Sequence, residues 1–416
     1  MHKNHILIGL TAFFLAWSTS SWAGMEYKGS IESSEEYTDN VNETNHPESD
    51  LVTVISPAVG LVYTGNRVNG SVDYHGDFRF YDLGRRTNET NNNLNAQGSL
   101  DVIGDKVLML DISDTNQMVF NNAALGQPTS ADTLSNQTNQ NAFSSGLTLN
   151  PNIAERTQTQ LGYRVSGTLY GSSEDVNKYT QSAFLDIMHS LTPKVETGFN
   201  VQAERQLSEQ AQGASSKQSY LTNYTATAVG RYTYGDGRYI FCRFGAVDTA
   251  YDSGENTLLP TWSAGWTHTL GRTVFNLATQ GDYEQNPSTV YNSFRSTYSA
   301  SIYRTFDRST FSINAGYSKY TGKGTPESED FTLGAGLSYE LTQRMGLNLS
   351  VSTDNSAPTL NSLVRYYASA ELNYELPKDF SLRLYFRHKT SLASSAQESQ
   401  GNATVNTVGV AVRKTF

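Results

Sequence analysis

Charged side chains of both signs recur at alternating positions in the C-terminal part of the chain, in a pattern that could form a hydrated wall. The candidates for this wall are Arg295, Arg365, Glu371, Glu375, Arg383, Arg387 and Lys389. A wall of mixed charge suits the passage of polar solutes and gives no strong preference for one sign of ion. The same residues could instead form cross-strand ion pairs that hold the wall together. The sequence leaves both interpretations open.

Three tyrosines, Tyr303, Tyr367 and Tyr385, fall on the same face of the alternating pattern as these charged residues. Aromatic rings in such a wall can stack on sugar rings. They can also serve only to fill the wall, and the sequence does not separate the two roles.

Motifs for catalysis or for metal binding are absent from the sequence. The seven histidines are scattered, and no HExxH, CxxC, GxSxG or P-loop pattern occurs. We therefore expect no enzyme, no cofactor and no metal site. Sequence motifs do not reveal Asp, His and Ser residues that are brought together only by folding.

The composition suits a protein with a wet interior. Hydrophobic residues make up 37% of the chain, whereas roughly 45–50%, counting Gly, is usual for soluble globular proteins. The chain nevertheless has 25 Tyr, 18 Phe and 33 Gly. A net charge of −10 argues against nucleic acid as a partner. The single cysteine, Cys242, allows no internal disulfide, and either apolar filling or a reactive thiol could be its role.

Short turns recur in the second half of the chain and divide it into hairpins. The turns lie at 191–194, 234–238, 270–272, 306–308, 341–344 and 376–378. Residues between them alternate with period two, which indicates strands rather than helices. Phe331, Leu333, Ala335 and Leu337 share one face, and Thr332, Gly334, Gly336 and Ser338 share the other. The repeat predicts an all-β fold, a transmembrane up-and-down antiparallel β-barrel of about 18–20 strands.

Strands are predicted in the less regular first half as well. They lie near 26–37, 51–63, 68–81, 92–103, 107–115, 139–150, 156–170, 178–191, 195–206 and 219–234. Pro57 interrupts the second strand and predicts a bulge or an edge position there. Longer polar loops are expected to face outward at 38–50, 116–138, 207–218, 321–329 and 390–402. Loop 116–138 could instead fold inward and narrow the lumen.

The two ends of the chain predict export to the outer membrane of a Gram-negative cell. Residues 1–23 read as a secretory signal peptide, with cleavage near Ala23, and residues 24–416 as the barrel. Few residues separate Gly24 from the first strand, so we expect no plug domain and no energised uptake. Val408, Val410 and Val412 alternate with other residues before the terminal Phe416. This tail is similar to the C-terminal signature of outer-membrane barrels, and Lys414 within it is expected to snorkel at the membrane boundary.

A pattern near the N-terminus resembles a known family. It comprises the sequence from Glu36 to Val41, Ser49 to Pro57 with its Asp-Leu-Val-Thr-Val-Ile core, Gly60 to Tyr63, and Ser71 to Tyr74. Together they resemble the outer-membrane β-barrel proteins associated with PEP-CTERM/exosortase systems, often grouped with β-barrel porins of exopolysaccharide loci. The resemblance implies no catalytic residues. Tyr37, Asp39, Asn40 and Pro57 match the motif, with structural roles, and Asx residues after a strand initiate turns.

Three functions are compatible with these observations. The leading hypothesis is a passive porin or conduit, linked to exopolysaccharide export, whose partners are outer-membrane lipid, a polar solute or polysaccharide, and periplasmic export machinery. A second is a structural or adhesive barrel with a closed lumen, whose loops bind surface polysaccharide. A third is an outer-membrane hydrolase, which a cluster of His, Ser and Asp at the outer rim would favour.

Overall fold

The computed structural model describes residues 24–120, 137–171, 175–212, 215–285, 292–322, 325–358, 363–393 and 402–416. The predicted signal peptide, residues 1–23, lies outside the described residues. Twenty antiparallel strands form one sheet, in which each strand pairs with its neighbours in sequence. The first strand also pairs with the last, from Ser30 opposite Thr415 to Thr38 opposite Thr407, and this pairing closes the barrel. The predicted up-and-down barrel is therefore confirmed.

The strands, in chain order, are Met25–Thr38 (β1), Asp50–Thr64 (β2), Val68–Tyr81 (β3), Glu89–Asp101 (β4), Leu108–Phe120 (β5), Gln137–Leu149 (β6), Thr157–Tyr170 (β7), Val176–Thr192 (β8), Val195–Gln212 (β9), Ser215–Gly235 (β10), Arg238–Tyr251 (β11), Asn256–Leu270 (β12), Thr273–Gln285 (β13), Asn292–Thr305 (β14), Ser309–Gly322 (β15), Thr325–Thr342 (β16), Met345–Pro358 (β17), Leu363–Leu376 (β18), Phe380–Ala393 (β19) and Ala403–Thr415 (β20). We call the end with the short turns the periplasmic end and the opposite end the outer end. No helix of the described residues has the length and apolar character needed to cross a membrane.

The alternation of side chains gives the barrel two different faces. On β17, Leu349 and Val351 point outward and are exposed, as are Phe331 and Leu333 on the neighbouring β16. The positions between them carry Ser, Thr, Gly and Asn and point into the lumen. An apolar outer face and a polar inner face are typical of barrels that span the outer membrane.

Aromatic and basic side chains mark the periplasmic boundary of the apolar face. Trp266 Nε1 donates a hydrogen bond to Tyr234 Oη over 2.9 Å, and the His268 ring stacks on both residues. Lys414 Nζ lies 5.0 Å from the centroid of the Phe380 ring and 5.6 Å from that of Phe416. The same amine bonds to a backbone carbonyl in the turn between β18 and β19. Its stem therefore covers apolar surface while its charge reaches polar groups.

Pro57 does not have the effect predicted for it. β2 lies between β1 and β3, so it is not an edge strand, and no register shift occurs along it. The pairing with β3 skips Ser56 and Pro57 and resumes at Ala58 in the same register. Pro57 lacks the N–H group that would join the ladder, and the remaining hydrogen bonds on both sides hold the strand in place.

Two of the predicted outer loops are wrong because the strands continue through them. β9 and β10 pair as far as Gln212 opposite Ser215, within the segment 207–218. β15 and β16 likewise pair as far as Gly322 opposite Thr325, within 321–329. Their polar composition reflects a position beyond the apolar belt, where a strand ladder is still satisfied but needs no hydrophobic face. Most of loop 116–138, and residues 394–401 of loop 390–402, lie outside the described residues.

Candidate functional site

The candidate site is the inner wall of the barrel around the closing seam of β19, β20 and β1. The strand registers place all seven predicted wall residues on the inward face. Five of them come together near the seam: Arg365, Glu371, Arg383, Arg387 and Lys389. Arg295 lies on β14, away from the seam, with its guanidinium 5.0 Å from the Tyr320 ring. Glu375 lies near the periplasmic end of β18, exposed, and joins no ion pair among the described residues.

Arg383 links three strands at the periplasmic half of the seam. Its guanidinium forms an ion pair with Glu32 of β1 and lies 3.8 Å from a carboxylate oxygen of Glu371 on β18. The side chain of β20 opposite Arg383 is the small Ala411, which is buried and leaves room for the link. The charged groups therefore join β18 and β19 to β1 across the last strand.

Tyr385 and Arg387 form the middle of the seam. Tyr385 Oη donates a hydrogen bond of 2.5 Å to Glu36, and an Arg387 nitrogen lies 3.9 Å from the same carboxylate. The Tyr385 ring lies between two guanidinium groups, 5.2 Å from that of Arg383 and 4.5 Å from that of Arg387. Gly409 on β20 faces this ring, and a Cβ there would lie 2.3 Å from a ring carbon. The glycine is what allows the ring to lie flat across β20.

The first outer loop, residues 39–49, folds into the lumen at the outer end of the seam. Val41 packs with Val52, Val54 and Tyr81 in a buried apolar cluster on the inner wall. Lys389 Nζ bonds to Glu43 of the loop over 2.9 Å. The loop was predicted to face outward. This prediction is wrong because Val41 packs against an apolar surface inside the barrel.

Three of the four motif residues, Tyr37, Asp39 and Asn40, lie where the first strand enters this loop. Asp39 accepts two hydrogen bonds of 2.7 Å from Asn406 of β20, one from the backbone N–H and one from the side chain. Asn40 is buried, and its amide donates to the backbone carbonyls of Thr44 and Thr404. Tyr37 points outward and is exposed. Asp39 and Asn40 thus tie the loop and the last strand to the end of β1.

Arg365 anchors an acidic pair on the neighbouring strands. Its side chain is 7% exposed and forms an ion pair with Asp354 of β17. Ser356 Oγ lies 3.1 Å from an oxygen of Asp354 and 3.1 Å from an oxygen of Asp330 on β16. Arg365 therefore provides the positive charge that lets two carboxylates lie close together on the inner wall.

A cavity of about 570 Å³ lies between the seam, the first outer loop and strands β15 to β18. One side of it carries the charged groups described above. The other side carries Asn314, Thr332, Ser350, Ser352 and Ser369, with the ring of Tyr367 between the two. The arrangement offers many donors and acceptors at neutral groups and few unbalanced charges.

A second cavity, of about 670 Å³, opens toward the periplasmic half of the lumen and is lined in part by His75. Next to it, Ser56 Oγ donates a hydrogen bond of 2.5 Å to Asp77, and His75 Nε2 lies 3.1 Å from the same oxygen. Folding thus brings a Ser, an Asp and a His together, which the sequence did not reveal. The hydroxyl faces the carboxylate rather than the imidazole, whereas a hydrolytic triad needs the base beside the nucleophile.

The acidic partners of the seam were not among the predicted site residues. Glu32, Glu36 and Asp354 each complete an ion pair with a predicted basic residue. A signal for two of them was present, because Glu32 and Glu36 alternate with outward residues on β1. Their pairing with β19 follows only from the closure of the barrel.

Comparisons with known proteins agree with this architecture. Residues 26–183 match the family described as Putative beta-barrel porin 2. No curated protein matches the chain. The FrpB iron transporter from Neisseria meningitidis is similar in fold, with a TM-score of 0.52 and 8% identity over 94% of this chain and 82% of that one. The ferric enterobactin receptor PfeA from Pseudomonas aeruginosa has a TM-score of 0.52 and 11% identity, covering 95% of this chain and 82% of that one.

The closed barrel and its apolar outer face define the class of protein as an outer-membrane-type β-barrel, and its N-terminal part is similar to a porin family. The match covers β1 to β7 and part of β8. The similar solved structures support the fold alone at these identities. The link to PEP-CTERM systems and to exopolysaccharide stays a prediction from the resemblance.

Proposed function

We propose that this chain is a passive outer-membrane conduit for a polar solute, linked to the export of an exopolysaccharide. The observation that supports the proposal is that the inner wall is polar and open to the lumen. Inward side chains far from the seam, such as Arg231 and Arg243, are polar and exposed to the lumen. A barrel of this size encloses an aqueous channel unless something fills it.

The mechanism is permeation through the hydrated lumen, with selection at the seam. The ion pairs along β18, β19 and β1 hold that side of the wall in place, and the first outer loop narrows the outer half of the lumen. A concentration gradient or periplasmic export machinery would supply the driving force. Selection by charge at the seam is weak because the acidic and basic groups there are paired.

The proposal also covers targeting and chemistry. Residues 1–23 would be removed as a signal peptide after Ala23, and the barrel would contact outer-membrane lipid. Nucleic acid is not a proposed partner. No catalytic step is assigned to the chain, because the Ser56 hydroxyl donates its hydrogen bond to Asp77 rather than to His75.

A second candidate is a closed barrel that binds surface polysaccharide without conducting it. The first outer loop favours this candidate, because residues 39–49 lie inside the lumen and are fastened there by Lys389. The two candidates differ in whether the lumen conducts ions past this loop.

Reconstitution of the purified chain into planar lipid bilayers separates them. We expect discrete conductance steps, and replacing Ser350 and Ser352 together by Asp should shift the reversal potential toward cation selectivity because both face the lumen. Gln343→Asp combined with Ser253→Asp adds the same two negative charges at exposed turn residues and serves as the control. Absence of steps, or steps whose selectivity ignores Ser350 and Ser352, would rule out conduction through this lumen.

A further inference from the structure

The cavity at the outer half of the seam has the features of a ligand site as well as of a constriction. We propose that it binds a short, uncharged segment of a saccharide. The inference rests on the proposed function and adds that the recognised segment is uncharged, together with the place where it is recognised. The cavity volume of about 570 Å³ is within the range of sites for small organic ligands.

The first argument is the hydroxyl-rich side of the cavity. Asn314, Thr332, Ser350 and Ser369 come from the inward faces of four consecutive strands, β15 to β18. Ser350 Oγ and Ser369 Oγ lie 2.7 Å apart, so the two hydroxyls are already oriented toward one another. Hydroxyl and amide groups both donate and accept hydrogen bonds, and sugar hydroxyls require partners that do both.

The second argument is the position of the aromatic rings. The Tyr385 side chain is buried, with Arg383 and Arg387 beside its ring, so this ring is not available to a ligand. The Tyr367 ring lines the cavity between the hydroxyl side and the charged side, with Lys389 Nζ 5.9 Å from its centroid. The face of an aromatic ring is negative and attracts the weakly positive C–H groups of an apolar sugar face.

The third argument is the charge balance, which selects against acidic and basic ligands. Arg365 pairs with Asp354, and Lys389 pairs with Glu43. Arg86 of the same cavity pairs with Glu89 over 2.5 Å. A charged ligand would have to separate one of these pairs and leave a partner unpaired at low exposure, which is costly. A neutral polyol can bind beside the pairs without disturbing them.

The test uses the whole barrel, residues 24–416, solubilised in detergent. Its binding is measured on a glycan array that carries neutral and acidic oligosaccharides. We expect binding to neutral glycans and a loss of about tenfold in affinity for Tyr367→Ala, the size of a lost ring contact. Tyr303→Ala removes an exposed inward tyrosine outside the cavity and should change nothing. Ser350→Ala combined with Ser369→Ala should also weaken binding.

Three results would overturn the inference: no neutral glycan bound, binding confined to acidic glycans, or equal losses in the Tyr367 and Tyr303 variants. Retention of the heat-dependent shift of folded barrels on electrophoresis shows that each variant is folded. The bilayer measurement separates this inference from the proposed function. Conductance without glycan binding would support the conduit and contradict the saccharide site. Glycan binding without conductance would support the saccharide site and contradict the conduit.

Discussion

Replacing Arg365 by Met should lower the free energy of unfolding of the barrel by about 3–5 kcal/mol, the usual cost of removing one partner of a buried ion pair. The large effect is expected because Arg365 is 7% exposed and supplies the charge beside Asp354. Without it, the carboxyl groups of Asp354 and Asp330, which share the hydroxyl of Ser356, would lose the positive charge beside them. Denaturant unfolding in lipid vesicles, followed by tryptophan fluorescence, measures the change.

Two further variants make this prediction specific to the ion pair. Arg231→Met removes an exposed inward arginine whose guanidinium lies 4.7 Å from the Tyr239 ring, and it should cost about 1 kcal/mol or less. Arg365→Met combined with Asp354→Asn should be less destabilised than Arg365→Met alone, because both charges are then gone. If Arg365→Met and Arg231→Met unfold at the same denaturant concentration, the ion pair does not stabilise the wall.

Placing a carboxylate at position 41 should drive the first outer loop out of the lumen and raise the single-channel conductance. Val41 is buried against Val52, Val54 and Tyr81. In Val41→Asp an unpaired charge would be buried there, at a cost above the roughly 1–3 kcal/mol of an unsatisfied neutral polar group. The loop avoids this cost by moving into water.

Val41→Ile is the matched control, because it keeps an apolar side chain and should leave the conductance unchanged. Lys389→Met should act in the same direction as Val41→Asp, since it removes the bond from β19 to Glu43. Identical conductance of Val41→Asp and the unsubstituted protein would show that the loop does not limit passage.

The strand pattern was predictable from the sequence because lipid and water impose opposite requirements on alternate residues. Leu333 and Leu349 must face lipid, whereas the residues that alternate with them along each strand can be polar. This requirement ends above the membrane, where both faces of a strand meet water. The extensions of β9, β10, β15 and β16 therefore looked like loops, although strand pairing continues through them, in register between β9 and β10 and with one bulge between β15 and β16.

The contacts of the candidate site were less predictable, because they depend on closure of the barrel. Alternation indicated that Arg383 and Arg387 face inward, but their partners Glu32 and Glu36 lie on the strand at the other end of the chain. The hydrogen bond from Tyr385 to Glu36 spans 349 residues. The inward fold of the loop depends in the same way on the apolar patch formed by β2 and β3, which no local pattern reveals.

The central claim is that water lines one face of each strand and lipid the other, and labelling of single cysteines tests it most directly. In a background with Cys242→Ser, cysteine is placed at the inward Ser350 and Ser352 and at the outward Leu349 and Val351. The protein in lipid vesicles is then treated with a charged maleimide that does not enter lipid. We predict rapid labelling of Ser350→Cys and Ser352→Cys and none of Leu349→Cys and Val351→Cys. Equal labelling at all four positions, or labelling only at the outward pair, would contradict a hydrated lumen.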